Sequence, residues 1–213
     1  MSPLVPVIHV VDDDSSFRKA IARLLQASGY RVALYESGNQ ILESPPSAEP
    51  GCILLDLRMP SLGGLELQDR LAKIGHTLPI VFLTGHADFP ASVRAIKGGA
   101  EDFLSKPVSK EALLDAVERA LQRYEKSREH HERMRTLRTL AAALTPREHE
   151  VFALIVRGKL NKQIAHQLGT SERTIKAHRH SIMEKLQVRS LAEAVSIAER
   201  LGILEASVGR KGP

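Results

Sequence analysis

The sequence predicts two folded parts in one chain of 213 residues. The first is an α/β doubly wound five-stranded parallel sheet; the second is a small all-α part of four helices, reached through a long helical linker. Three observations predict this. Up to about residue 125, short apolar runs alternate with segments of helical periodicity; from Ser109 there is neither Gly nor Pro until Pro146; and charge divides along the same line. Residues 1–124 hold 13 Lys+Arg against 15 Asp+Glu, whereas residues 125–213 hold 17 against 10. A weakly acidic half followed by a basic half suggests a signalling part joined to a polyanion-binding part. The expected boundaries are 1–125, 126–143 for the linker, and 144–213.

The elements follow in order. Val7–Val11 reads as a first strand that ends in Asp12-Asp13-Asp14, with Asp14 placed to cap a helix from about Ser15. Phe17, Ile21, Leu24 and Leu25 share a face of that helix, which stops at Ser28-Gly29. Arg31–Tyr35 is a second strand, about Gly38–Glu43 a short helix, and Ser44–Pro50 an extended surface loop. Ile53-Leu54-Leu55 is a buried strand ending at Asp56, and Leu65–Lys73 a helix. Pro79–Leu83 is the fourth strand, Phe89–Lys97 a helix closed by Gly98-Gly99, and Asp102–Leu104 the fifth strand. Such regular alternation fits a flavodoxin-like sheet, whose ligands bind at the carboxyl ends of the strands.

Those ends collect a consistent chemistry. Asp12, Asp13 and Asp56 form a carboxylate cluster that favours a hard divalent cation with oxygen ligands, Mg²⁺ being the common case. Thr84 follows the fourth strand and Lys106 the fifth, a hydroxyl and an ammonium able to hold phosphoryl oxygens. Asp56 would then be the nucleophile.

In the basic half, Thr145-Pro146-Arg147-Glu148 is a helix start with a capping box, and the helix continues towards Gly158. Asn161 is the expected cap of a second helix that Gly169 ends; Ser171 caps a third, Glu172–Leu186; a fourth covers about Leu191–Leu201. Two short helices separated by Gly169-Thr170-Ser171 fit a helix-turn-helix. On the third helix Ile175, Ile182 and Leu186 form an apolar stripe, opposite Arg173, Lys176, Ala177 and His180, a surface suited to base edges and phosphates.

VVDDD, LLDLRMP, FLTG and FLSKP, in that order, resemble the receiver domain of two-component response regulators over roughly residues 5–125. The resemblance implies that Asp56 is the phospho-acceptor, that Asp12 and Asp13 hold the metal with Asp13 the more direct ligand, and that the Arg58 backbone carbonyl is a further ligand. It also implies that Thr84 and Lys106 contact the phosphoryl group, that Phe103 is the switch aromatic, and that the bond before Pro107 is cis. The segment from Leu144 to Val195 resembles the LuxR-type DNA-binding domain. By that resemblance Lys176, Ala177 and His180 face bases, Arg173, Thr174, Lys162 and Lys185 contact phosphates, and His178 packs or meets the backbone. Together these features are similar to the NarL/FixJ class, on the FixJ-like side. The implied partners are a sensor histidine kinase, promoter DNA, RNA polymerase and a second copy of the chain after phosphorylation.

Other readings are weaker. Cys52 lies inside an apolar run and reads as a small core residue. No stretch has the length and apolarity of a membrane span and the start of the chain lacks a signal-peptide pattern, so a cytoplasmic location is expected. His130-His131 and His178/His180 lack the remaining ligands of a metal site. An enzyme acting on a separate phosphorylated substrate is disfavoured, because no insertion supplies a substrate pocket; the chain is expected not to be an enzyme.

Overall fold

The computed structural model describes residues 5–46, 49–85 and 89–204, so part of the Ser44–Pro50 loop and His86, after β4, lie outside the described residues. The chain divides into two compact units, Met1–Arg128 and Glu129–Pro213.

In the first unit, β1 (Val7–Val11), α1 (Ser15–Ala27), β2 (Arg31–Tyr35), α2 (Gly38–Glu43), β3 (Gly51–Asp56), α3 (Gly64–Lys73), β4 (Ile80–Thr84), α4 (Phe89–Lys97) and β5 (Asp102–Ser105) alternate. The strands pair in parallel in the order β2-β1-β3-β4-β5. The inner strands are buried on both faces, which is why their sequences read as continuous apolar runs rather than alternating ones. Val11, Ile53, Leu55 and Phe82 join Ile41, Leu67, Leu71, Ala91 and Ala95 from α2, α3 and α4 on one face. Ile8, Val10, Cys52, Leu54, Val81 and Leu83 join Ile21 and Leu25 of α1, and residues from Leu113 to Ala120, on the other. Cys52 is fully buried, and burial pushes its thiol up to about 12, as suits an inert core residue.

Two glycines permit close approaches, Gly51 where β3 starts and Gly64 at the edge carrying the acids. A Cβ on Gly51 would lie 2.2 Å from the Val7 carbonyl oxygen, and one on Gly64 2.4 Å from the carbonyl oxygen of Asp56. A larger residue at Gly64 would therefore push the start of α3 away from the end of β3.

α5 runs from Lys110 to Ala142, so the stretch expected as a linker is helical. Its early part buries Leu113, Ala116, Val117 and Ala120 in the first unit's core; its last turns bring Leu137, Leu140 and Ala141 to the second unit's core.

The second unit holds α6 (Pro146–Ile155), α7 (Asn161–Gln167), α8 (Glu172–Lys185) and α9 (Leu191–Arg200) around Val151, Phe152, Ile164, Ile175, Ile182, Leu186 and Ala198. The capping box at Thr145 and Glu148 and the Ser171 cap form as the sequence predicts. One cap differs: Leu160, not Asn161, is the N-cap of α7, and the Gln163 side chain accepts its backbone N–H at 3.0 Å. Asn161 is instead the first helical residue, and the helix start is held by the Gln163 side chain reaching back to the backbone of Leu160. Gly169 takes a φ of +63° to turn the chain from α7 into α8.

Candidate functional site

Register assembles the acid pocket. Val11 pairs with Leu55, Asp56 with Leu83, and Thr84 with Ser105, so the residues that end β1, β3, β4 and β5 finish side by side at one sheet edge. Asp12, Asp56 and Thr84 are buried there, at 1, 6 and 1 % exposure. Lys106 reaches across them, its Nζ 2.5 Å from Asp12 Oδ2 and 2.8 Å from Asp56 Oδ1. The same ammonium lies 4.1 Å from the centre of the Phe17 ring, and the Lys106 backbone N–H donates to the Thr84 carbonyl at 2.6 Å. The Lys106–Pro107 bond is cis.

Backbone donors complete the setting of the acids. The Arg58 N–H donates to Asp56 Oδ2 at 3.1 Å, and the Asp14 N–H to Asp12 Oδ1 at 2.9 Å. Asp14 itself caps α1, accepting from Ser16 and Phe17, and the Arg18 guanidinium donates to the Asp12 carbonyl. Burial pushes the Asp56 carboxyl above its ordinary range, and the nearby Asp12 charge adds to this against the pull of Lys106. For Lys106, burial opposes the charge, but hydrogen bonds and charges from Asp12 and Asp56 outweigh it and raise the ammonium's pKa.

Two buried carboxylates within reach of one cation, with the Arg58 carbonyl adjacent in sequence, are an all-oxygen donor set that fits a hard divalent ion. Asp13 is exposed, and among the described residues no three His, Cys, Asp or Glu side chains close into a metal-holding group. Phe103 is half-buried beside Phe82, with ring centres 6.2 Å apart. On the face formed by α4, β5 and the first turns of α5, Asp102 is paired with Arg119, and Glu101 lies 3.2 Å from Arg123, within the same chain.

In the second unit Arg173, Thr174, Lys176, Ala177 and His180 are exposed on α8 and Lys162 on α7, while Ile175, Ile182 and Leu186 are buried, as the helical wheel predicts. His178 is half-buried. Lys185 behaves differently from its expected phosphate role: its Nζ lies 2.6 Å from Glu148 Oε2, and Glu148 is only 4 % exposed. That pairing was missed because Glu148 already had a local explanation, the capping box, and nothing in the local pattern points to a partner 37 residues away.

Comparison with known proteins finds a match for each unit. Residues 8–118 match the response regulator receiver domain, and residues 142–198 the bacterial regulatory proteins of the luxR family. Nodulation protein W of Bradyrhizobium diazoefficiens is 42 % identical over 197 residues, covering 92 % of this chain and 87 % of its own length. Transcriptional regulatory protein FixJ of the same organism is 36 % identical over 197 residues, covering 92 and 96 %. Among solved structures, response regulator StyR superposes with a TM-score of 0.82 at 45 % identity, covering 92 % of this chain and 99 % of its own. Full-length FixJ from B. japonicum gives 0.56 at 36 %, covering 93 and 98 %. The chain belongs to the response regulators that join a receiver domain to a LuxR-type DNA-binding domain. Within them it is FixJ-like.

Proposed function

We propose that this response regulator is switched by phosphorylation of Asp56, and that the switch acts by bringing two copies of the chain together on promoter DNA. The observation that carries the proposal is the Lys106 bridge between buried Asp12 and Asp56 at one sheet edge. In this reading a carboxylate oxygen of Asp56 attacks the phosphorus of a phosphohistidine on a sensor histidine kinase; a P–O bond forms as the P–N bond breaks, and the histidine leaves with the electron pair. Asp12, Asp13, Asp56 and the Arg58 carbonyl would hold Mg²⁺, which neutralises phosphoryl charge. Lys106 moves from the carboxylates to a phosphoryl oxygen, and the Thr84 hydroxyl donates to another.

Drawing Thr84 towards the phosphate leaves room for Phe103 to turn inward, repacking α4, β5 and the first turns of α5. Support for a docking role of that face comes from apolar exposure on α4, where Phe89 is 79 % and Ile96 49 % accessible. Arg94 and Lys97 are exposed there too, whereas Asp102 and Glu101 must exchange their intrachain partners to pair across a two-fold axis. Dimerisation is needed because one small reader presents little interface, and paired half-sites supply the rest. α8 enters the major groove with Lys176, Ala177 and His180 towards bases; Arg173, Thr174 and Lys162 meet phosphates; RNA polymerase is the machinery regulated. As for location, a cytoplasmic site of action is inferred from the proposed kinase and DNA partners; no helix among the described residues is long and apolar enough to cross a membrane.

The test is intact-mass measurement after incubation with a small-molecule phosphodonor. One phosphate is expected with Mg²⁺ present, and none in Asp56→Asn or in metal-free buffer; a phosphate that persists in Asp56→Asn overturns the assignment.

A further inference from the structure

Glu148 is an almost fully buried carboxylate in a unit whose remaining described charges are exposed or half-buried. It accepts three hydrogen bonds: from Ser181 Oγ at 2.6 Å, from Lys185 Nζ at 2.6 Å and from the Thr145 backbone N–H at 2.7 Å. Those donors lower its carboxyl to about 2, Lys185 contributing most. Ser181 and Lys185 are four residues apart and so lie one above the other on α8. One side chain at the start of α6 therefore grips α8 at two points a turn apart.

The apolar contacts of α8, through Ile175, Ile182 and Leu186, fix which face of the helix meets the core, but attraction between apolar side chains is not directional and leaves the fine rotation less sharply set. Charge-assisted hydrogen bonds are short and directional. The geometry points to Glu148 as a positioning residue that sets the rotation of α8, and to Ser181 and Lys185 as its two handles rather than as DNA contacts. Lys185 is one-third exposed, so it reaches the surface without presenting a free ammonium to a phosphate. The clasp rests on the reading of α8 as the base reader, since its effect is to aim Lys176, Ala177 and His180.

Positioning and phosphate contact make opposite forecasts for the same lysine. A lost phosphate contact weakens every DNA alike and makes the slope of log K against log salt shallower by about 0.9. A lost clasp lets the reading face roll, which erodes sequence discrimination and leaves that slope unchanged.

The experiment uses the full chain with a duplex obtained by selection from random DNA and a scrambled duplex of equal length, each at several salt concentrations. Lys185→Met, which keeps the aliphatic stem, is expected to weaken the selected duplex about tenfold, equivalent to about 1.4 kcal/mol, with little change on the scrambled one. Ser181→Ala should show the same selective pattern more weakly, and Lys185→Arg, which keeps charge and donor, should restore discrimination. Circular dichroism confirms that the variants are folded. Equal loss on both duplexes with a shallower salt slope overturns the proposal in favour of a phosphate contact, and no loss on either overturns it as well. Lys176→Ala is the control: if it too shows no selective loss, the reading of α8 fails and the clasp's role with it, whereas selective loss in Lys176→Ala alone overturns only the clasp.

Discussion

The two units handle charge in opposite ways. At the sheet edge of the first, the charges proposed to handle the phosphoryl group are buried and pressed together, with Lys106 close to both Asp12 and Asp56. On α8 the exposed cations Arg173 and Lys176, proposed to meet DNA, stand in solvent with no ion pair among the described residues, and the buried charge is Glu148. On the proposed function, the difference follows from the size of the partner. A phosphoryl group is small and must be desolvated to be transferred, so its site needs preorganised, low-dielectric charge. A DNA duplex is a large polyanion that comes to the surface, and its counterions are displaced by exposed cations.

The largest expected effect tests the buried side. Asp56→Asn should abolish phosphorylation outright, whereas Lys106→Ala should still accept phosphate, more slowly, and fail to convert it into assembly; intact mass and sedimentation read the two losses separately. A Lys106→Ala protein that dimerises normally on phosphorylation would show that the buried cation is not part of the switch. Next in size is the coupling itself. Phosphorylated protein should sediment as a dimer and unmodified protein as a monomer, with Phe103→Ala phosphorylated but largely monomeric; dimer in equal amount with and without phosphate would separate the two units' activities.

Smaller effects sharpen the exposed side. Lys176→Ala or His180→Ala should weaken a selected duplex by about 1–3 kcal/mol, as for a lost base contact, and a scrambled one far less. Lys162→Ala should weaken both alike with a shallower salt slope.

The smallest effect separates the units by pH. Burial, together with the nearby His76, lowers His9 from 6.5 to about 4, and its Nδ1 lies 3.1 Å from the Tyr35 hydroxyl. Because the folded state resists the proton, the unfolded state binds it first, and the first unit loses stability as pH falls from 6.5 towards 4. Discounted for solvent screening, the loss should be of order 1 kcal/mol by pH 5. Glu148 has the opposite sign of group: its folded value is depressed from 4.5 to about 2, so its stabilisation is intact above pH 4.5 and is lost as pH falls below that. Thermal melting between pH 7 and 5 should therefore weaken the first unit and spare the second, and His9→Gln should flatten the trend. A second unit that weakens first would contradict the assignment.

What the sequence made legible depends on how local the cause is. Strand runs, the Gly29 and Gly99 helix ends, the Thr145 capping box and the α8 wheel all rest on neighbours within a turn or two, and the structure has them where the periodicity predicts. Asp12, Asp56, Thr84 and Lys106 could be grouped before any coordinates because parallel pairing forces strand ends to one edge. Three features were not legible. The His9–Tyr35 contact crosses from β1 to β2 within what reads as an apolar run; Gln68, buried on α3, donates to the Ala95 carbonyl of α4 at 3.1 Å; and the Glu148–Lys185 pair spans α6 and α8. Each is a polar contact between elements distant in sequence, set by packing geometry that periodicity does not encode.

The central claim is that the buried pocket governs the exposed reader, and it is tested most directly by the affinity of one protein for one selected duplex, measured with and without phosphate on Asp56. The account predicts tighter binding after phosphorylation, a steeper dependence on protein concentration as two copies bind together, and no change in Asp56→Asn. Equal affinity in the two states, with Asp56 demonstrably phosphorylated, would contradict it.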